Sequence, residues 1–334
     1  MPRKARIDAP GALQHIICRG IEKRNIFRTD TDRDDFVQRL GNVLTQTQTP
    51  CFAWALIPNH FHLLLRTGNA PIATVMRKLL TGYAVSFNRR HRRHGHLFQN
   101  RYKSILCQED IYFLELVRYI HLNPLRAKLV NSVKALERYG YSGHSVLMGK
   151  VKYDWQDVNK VLGLFGKKMS SARKHYCGYV QDGIDQGRRP ELIGGGLIRS
   201  AGGWKAVKAF DKLGVHLKGD ERILGESDFV QQVLREQNER LERRYGLQAQ
   251  GYDFEKVLER VADMFSLTKQ QIISPSKQLH RVKARSVLCY WAVKELGMSA
   301  TTIAQLLKVG QPAVSRAVMR GEKLAFDMKL SLSE

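Results

Sequence analysis

The chain has 334 residues, 43% of them apolar, and carries 55 Lys and Arg against 31 Asp and Glu, a formal net charge of +24. That length suggests two or three domains with ample core, and a cationic surplus of that size points to a polyanion, most commonly nucleic acid. Five scattered cysteines, never spaced C-x-x-C, argue against a disulfide framework and a thiolate zinc site.

The opening MPRKARIDAPG has no apolar leader, and no apolar run approaches the ~20 residues of a membrane span, so a cytosolic protein with no membrane partner is expected. Residues 13–20, LQHIICRG, predict a strand that ends in a basic turn, IEKRN, where Arg19, Lys23 and Arg24 are placed as DNA contacts. TDRDDFVQRLGNVLTQ predicts an amphipathic helix with Asp in its first turn, where the helix dipole favours negative charge. CFAWALI and HFHLLLR predict two strands divided by Pro58-Asn59. A helix opening at Pro71 runs to about Arg89, YKSILC is a short strand, and a helix behind Asp110 as N-cap stops near Pro124. The order β-α-β-β-α-β-α is that of a ferredoxin-like α+β sandwich, an antiparallel sheet with helices on one face.

Two features of this region carry chemistry. Along a strand His60, His62 and Leu64 share one face, while Phe61, Leu63 and Leu65 share the other. Two imidazoles one pleat apart can converge on a single point, as metal ligands do. The plainer alternative is one histidine exposed at the strand end and one hydrogen-bonded in the core. In RYIHLNP, Tyr119 and Asn123 are four residues apart on a helix and point the same way. If that helix lies over the histidine strand, two imidazoles, one amide oxygen and a phenol meet. Such a set, lacking thiolate and carboxylate, makes a weak, open site suited to Mg²⁺ or Mn²⁺ shared with a phosphate. His121 projects roughly 200° away and is left out. Tyr83, Tyr102 and Tyr112 are competing phenols that composition does not exclude.

Between these features RRHRRHGHLFQNRYK contains no acidic residue. Arg89, Arg90, Arg92, Arg93, Arg101 and Lys103 are placed there as phosphate contacts, with Phe98 and Tyr102 for base stacking. From 131 to 250 the signal weakens: GRRPELIGGGLIRSAGGW is no phosphate cradle, because no GK[ST] follows it, and a charged helix begins near Ser227. The last ~80 residues read as helical. SATTIAQLLKVGQPAVSRAVMRG predicts a helix, a turn and a second helix that ends at Gly321, the grammar of a DNA-binding helix-turn-helix. Gln311, Ser315 and Arg316 fall on the base-facing start of that second helix.

PNHFHLLL, GHLFQNRYKSI and RYIHLNPLRAKLV resemble the HUH single-tyrosine transposases, most closely the REP-associated tyrosine transposases. The resemblance covers about residues 1–130. It implies a ferredoxin-like nuclease domain that cuts single-stranded DNA beside a hairpin, with His60, His62 and Asn123 holding a divalent metal and Tyr119 forming a 5′-phosphotyrosine link. A bacterial, nucleoid-associated location follows from the same resemblance. A second resemblance, over about 252–321, is to the DNA-binding domain of the replication initiator DnaA, and it implies duplex DNA as a further partner. The expected division is therefore 1–130 catalytic, 131–250 connecting and 251–334 duplex-binding, with monomer or homodimer left open. The competing readings are a non-catalytic regulator that recognises hairpins and an HUH replication initiator or relaxase.

Overall fold

The computed structural model describes residues 6–9, 11–68, 70–187, 189–193 and 220–332; most of the glycine-rich stretch lies outside them. The chain forms two compact units, Met1–Gln231 and Gln232–Glu334.

In the first unit β1 (Leu13–Arg19), α1 (Asp30–Thr47), β2 (Cys51–Ile57), β3 (His60–Arg66), α2 (Ile72–Arg90), β4 (Lys103–Cys107) and α3 (Glu109–His121) follow in the expected order. The sheet runs β2-β3-β1-β4, antiparallel throughout. β5 (Ile223–Leu224), which sequence patterning does not reveal, is added parallel to β4. The fold is α+β. Pro71 serves as N-cap of α2 rather than its first helical residue. α3 opens behind Gln108, so Asp110 lies in its first turn and not at the N-cap.

Helices cover both faces of the sheet. Phe61, Leu63 and Leu65 pack with Ile16, Cys18 and Trp54 beneath α1 and α2. Leu64, Ala53 and Ala55 lie on the opposite face, against Phe113, Leu116 and Ile120 of α3. The expectation of helices on one face thus holds for α1 and α2 and fails for α3. The cause is β2 itself: CFAWALI is apolar without alternation and buried at every residue, so it needs cover on both sides.

The buried carboxylate of Asp32 caps α1 with Thr29 and also binds Arg90 and His91 at the end of α2. Burial alone would raise the Asp32 pKa. Hydrogen bonds from the backbone of Arg28 and Thr29 and from the Arg90 and His91 side chains outweigh burial and hold it below its ordinary value.

Beyond α3 a short turn, α4 (Asn123–Arg126), leads to four further helices: α5 (Val133–Glu137), α6 (Gly143–Leu147), α7 (Val158–Leu162) and α8 (Met169–Gln181). This stretch seals the outer edge of β2. Leu56 N donates to Tyr141 O at 3.0 Å, Asp157 N donates to Cys51 O at 2.8 Å, and the Trp54 indole donates to Gln156 Oε1 at 2.8 Å. At its centre the Tyr176 hydroxyl bridges His121 Nδ1 (2.7 Å) and His144 Nδ1 (2.9 Å), all buried.

Helix α9 (Ser227–Ala249) begins in the first unit and ends in the second. The second unit packs α10 (Phe254–Met264), α11 (Lys269–Ile273), α12 (Leu279–Tyr290, continued by a π turn over Trp291–Glu295), α13 (Ala300–Leu306) and α14 (Gln311–Asp327) around Val257, Val287, Trp291 and Val318. Gly321 does not end α14, and Lys323 lies inside the helix. A Cβ at Gly321 would fall 1.9 Å from Ser286 O, so glycine is required there by the close approach to α12. Among the described residues no helix is long and apolar enough to cross a membrane.

Candidate active site

The β1–β3 register sets Arg19 opposite His60, Ile17 opposite His62 and His15 opposite Leu64. Strand parity turns His15, Arg19, His60 and His62 to the face that α3 covers. α3 presents Tyr119 there, with its ring centroid 5.8 Å from that of His62 and 6.1 Å from that of His15. The His60 and His62 centroids are 5.1 Å apart. Asn123 stands one residue past the α3 cap, at the start of α4, where Pro124 resets the helix. His60, His62, Tyr119 and Asn123 line one open cleft of about 920 Å³, together with Arg19, Lys23, Arg101 and Lys103.

Three of these side chains have their donor atoms oriented by neighbours. The Asn123 amide nitrogen donates to the carbonyls of Tyr119 (2.9 Å) and Ile120 (3.3 Å), which leaves Oδ1 as its available acceptor. His60 Nδ1 lies 2.6 Å from Asn59 Oδ1, and His62 Nδ1 lies 3.0 Å from His15 Nε2. Burial is the main reason that both ligand-candidate imidazoles are hard to protonate. It brings His60 down to about 4, helped by the Arg19 charge, and it holds His62 well below 6.5, helped by His15, His60 and Arg19. Both are neutral at pH 7, the form a metal ligand requires. Among the described residues no group of three or more His, Cys, Asp or Glu could hold a metal. Two imidazoles and an amide oxygen line the cleft, and the chemistry of those donors suits a hard, weakly held divalent ion.

Burial raises the Tyr119 pKa. Arg126 opposes that most strongly, Glu191 adds to it, and Arg19 opposes it more weakly. Arg126, absent from the sequence-based candidates, has its guanidinium carbon 5.3 Å from the Tyr119 ring centroid. Its Nε and Nη1 are buried without a hydrogen-bond partner, and Nη2 reaches Gly183 O at 3.4 Å. The signal was present: Tyr119, Asn123 and Arg126 stand at i, i+4 and i+7, one helical stripe.

The remaining candidates separate. Arg24 is exposed and pairs with Glu22. Arg89, Arg90 and Arg92 are exposed, Arg90 also pairs with Asp32 and Asp35, and Arg93 binds Asn88. Tyr102 is buried beneath Arg6, so its ring is not the free stacking face expected of it, and Phe98 is half-buried against the core. Tyr83 donates to Ile26 O in the core, and Tyr112 is buried away from the cleft residues. Gln311, Ser315 and Arg316 are exposed on the first turns of α14.

An α+β sheet domain with a histidine pair facing a helix tyrosine across a cationic cleft defines the class to which comparison applies. Residues 11–123 match the family model described as "Transposase IS200 like". No curated protein matches the chain. A solved structure titled "Structure of the REP associates tyrosine transposase bound to a REP hairpin" is similar at 17% identity, with a TM-score of 0.37, over 47% of this chain and 93% of that one.

Proposed function

We propose that the first unit is a single-tyrosine DNA strand transferase that cleaves single-stranded DNA beside hairpins. The observation that supports this most is the convergence of Tyr119, His60, His62 and Asn123 in one cleft lined by Arg19, Lys23, Arg101 and Lys103. His60 Nε2, His62 Nε2 and Asn123 Oδ1 would hold Mg²⁺ or Mn²⁺, which when bound supplies charge neutralisation at the scissile phosphate. The chain's own residues do the rest. Tyr119 Oη attacks phosphorus and forms a 5′-phosphotyrosine bond, the bond from phosphorus to the 3′ oxygen breaks, and that oxygen takes a proton from solvent and leaves as a hydroxyl, while the phenol proton passes to solvent. The linkage keeps its energy for rejoining, so no nucleotide cofactor is consumed. Arg126 and Arg19 favour the phenolate that burial opposes.

In the second unit, α13, its turn and α14 are read as a helix-turn-helix for duplex DNA, with Gln311, Ser315 and Arg316 toward base edges. The functional division proposed is catalysis within 1–130, support from the connecting region, and duplex targeting by 251–334. The test is incubation of the full chain with end-labelled hairpin DNA and Mn²⁺, followed by denaturing electrophoresis. A covalent adduct on Tyr119 is expected. Tight DNA binding with no adduct would favour the non-catalytic regulator.

A further inference from the structure

Each imidazole of the histidine pair ends a chain of hydrogen bonds that starts at a backbone carbonyl. A carbonyl only accepts, so each chain has a fixed direction. Asn59 Nδ2 donates to Lys23 O at 3.2 Å, which orients the amide and leaves Oδ1 toward His60 Nδ1 at 2.6 Å. An amide oxygen accepts, so the proton is on His60 Nδ1 and the His60 lone pair is at Nε2. The second chain runs through a buried histidine. His15 Nδ1 lies 3.3 Å from Leu192 O and must carry the proton between them. His15 is fully buried, which favours the neutral imidazole, so its Nε2 accepts the proton of His62 Nδ1 across 3.0 Å and the His62 lone pair is also left at Nε2.

We infer that Asn59 and His15 are positioning residues that lock His60 and His62 in the Nδ1–H tautomer, so that both present Nε2 to a divalent cation before it arrives. The two chains are built differently, one from a turn amide and one from a strand histidine, and reach the same end. Without them each free imidazole would divide between tautomers and ring orientations, and one ligand atom would be wrong for part of the time. The second chain also gives the connecting region a part in the site. Leu192 sits in the turn Pro190–Leu192, held near the cleft by Lys103 Nζ donating to Ile193 O at 2.6 Å. The metal-binding consequence rests on the proposed function, but the tautomers do not.

The experiment has two readouts on the full chain. ¹⁵N-labelled histidine spectra of metal-free protein at pH 7 should show pyridine-type Nε2 and pyrrole-type Nδ1 for both His60 and His62. An Nε2–H tautomer at either residue overturns the inference for its chain. Mn²⁺ binding is then titrated calorimetrically. His15→Leu and Asn59→Ala should each weaken it about 10–100-fold. His15→Gln, which keeps an acceptor for His62 and a donor for Leu192, should stay within a few-fold of wild type. Unchanged affinity in His15→Leu, or equal losses in His15→Leu and His15→Gln, would reject positioning through the hydrogen bond. If the wild type binds no Mn²⁺, the proposed metal site fails, while the tautomer spectra still decide this inference.

Discussion

Arg126 lies over the face of Tyr119, its guanidinium carbon 5.3 Å from the ring centroid, with two buried N–H groups unpaired. A buried guanidinium in that state is costly unless an anion completes it, and a phosphodiester entering the cleft would do so. Arg126→Ala should therefore slow adduct formation by roughly 10²–10³-fold, the usual effect of losing one preorganised donor. DNA affinity should fall much less. Single-turnover rates beside a filter-binding curve make the comparison, and equal losses in both would reduce Arg126 to a general DNA contact.

Tyr119→Phe should abolish covalent capture and leave DNA binding nearly intact, because binding rests on the surrounding Arg and Lys. Peptide mapping of the wild-type adduct identifies the linked residue. Attachment at Tyr83, Tyr102 or Tyr112 would contradict the assignment, and none of the three lines the cleft that holds Tyr119.

His144 predicts acid sensitivity. Burial lowers its pKa from 6.5 to about 4, so it is neutral when folded and protonates more readily when unfolded. Its contribution to stability is complete above pH 6.5 and is lost as the pH falls through about 4. The loss from this group alone should be on the order of 3 kcal/mol. Urea titrations at successive pH values check it, and His144→Phe should flatten the dependence.

Gly321→Val should unfold the second unit at lower temperature, by an amount equivalent to at least about 1–3 kcal/mol, since the added carbons meet the Ser286 backbone. Calorimetry of the full chain should show this in one transition only.

For duplex recognition, Arg316→Ala should cost about 1–3 kcal/mol on the preferred sequence and far less on scrambled duplex. Lys323→Ala should weaken both alike. A salt series on the two duplexes separates base reading from charge, and equal losses for Arg316→Ala would remove α14 as the reader.

The parts of the site legible in sequence are those set by local periodicity. A spacing of two on a strand puts His60 and His62 on one face, and a spacing of four on a helix aligns Tyr119 with Asn123. His15 was not legible, because its place beside His62 depends on the β1–β3 register across 47 residues. Leu192 acts through a backbone carbonyl, which any residue would supply. Arg90 reads as a phosphate contact within its basic run, and its pairing with Asp32, 58 residues earlier in the chain, is not visible there. The order of elements followed from patterning, whereas the second covered face had to await the packing of α3. A fragment ending at Val130 would also lack Leu192, and with it the anchor of His15.

The strand β2 has one further consequence. An edge strand is ordinarily an adhesive margin, where another chain can continue the ladder. Here Tyr141 and Asp157 already occupy the margin, and Gln156 clamps it through Trp54. The sheet is finished on that side. A second copy cannot lengthen it through β2, so a homodimer would have to use another surface, and fibrous growth from this margin is closed to the folded protein.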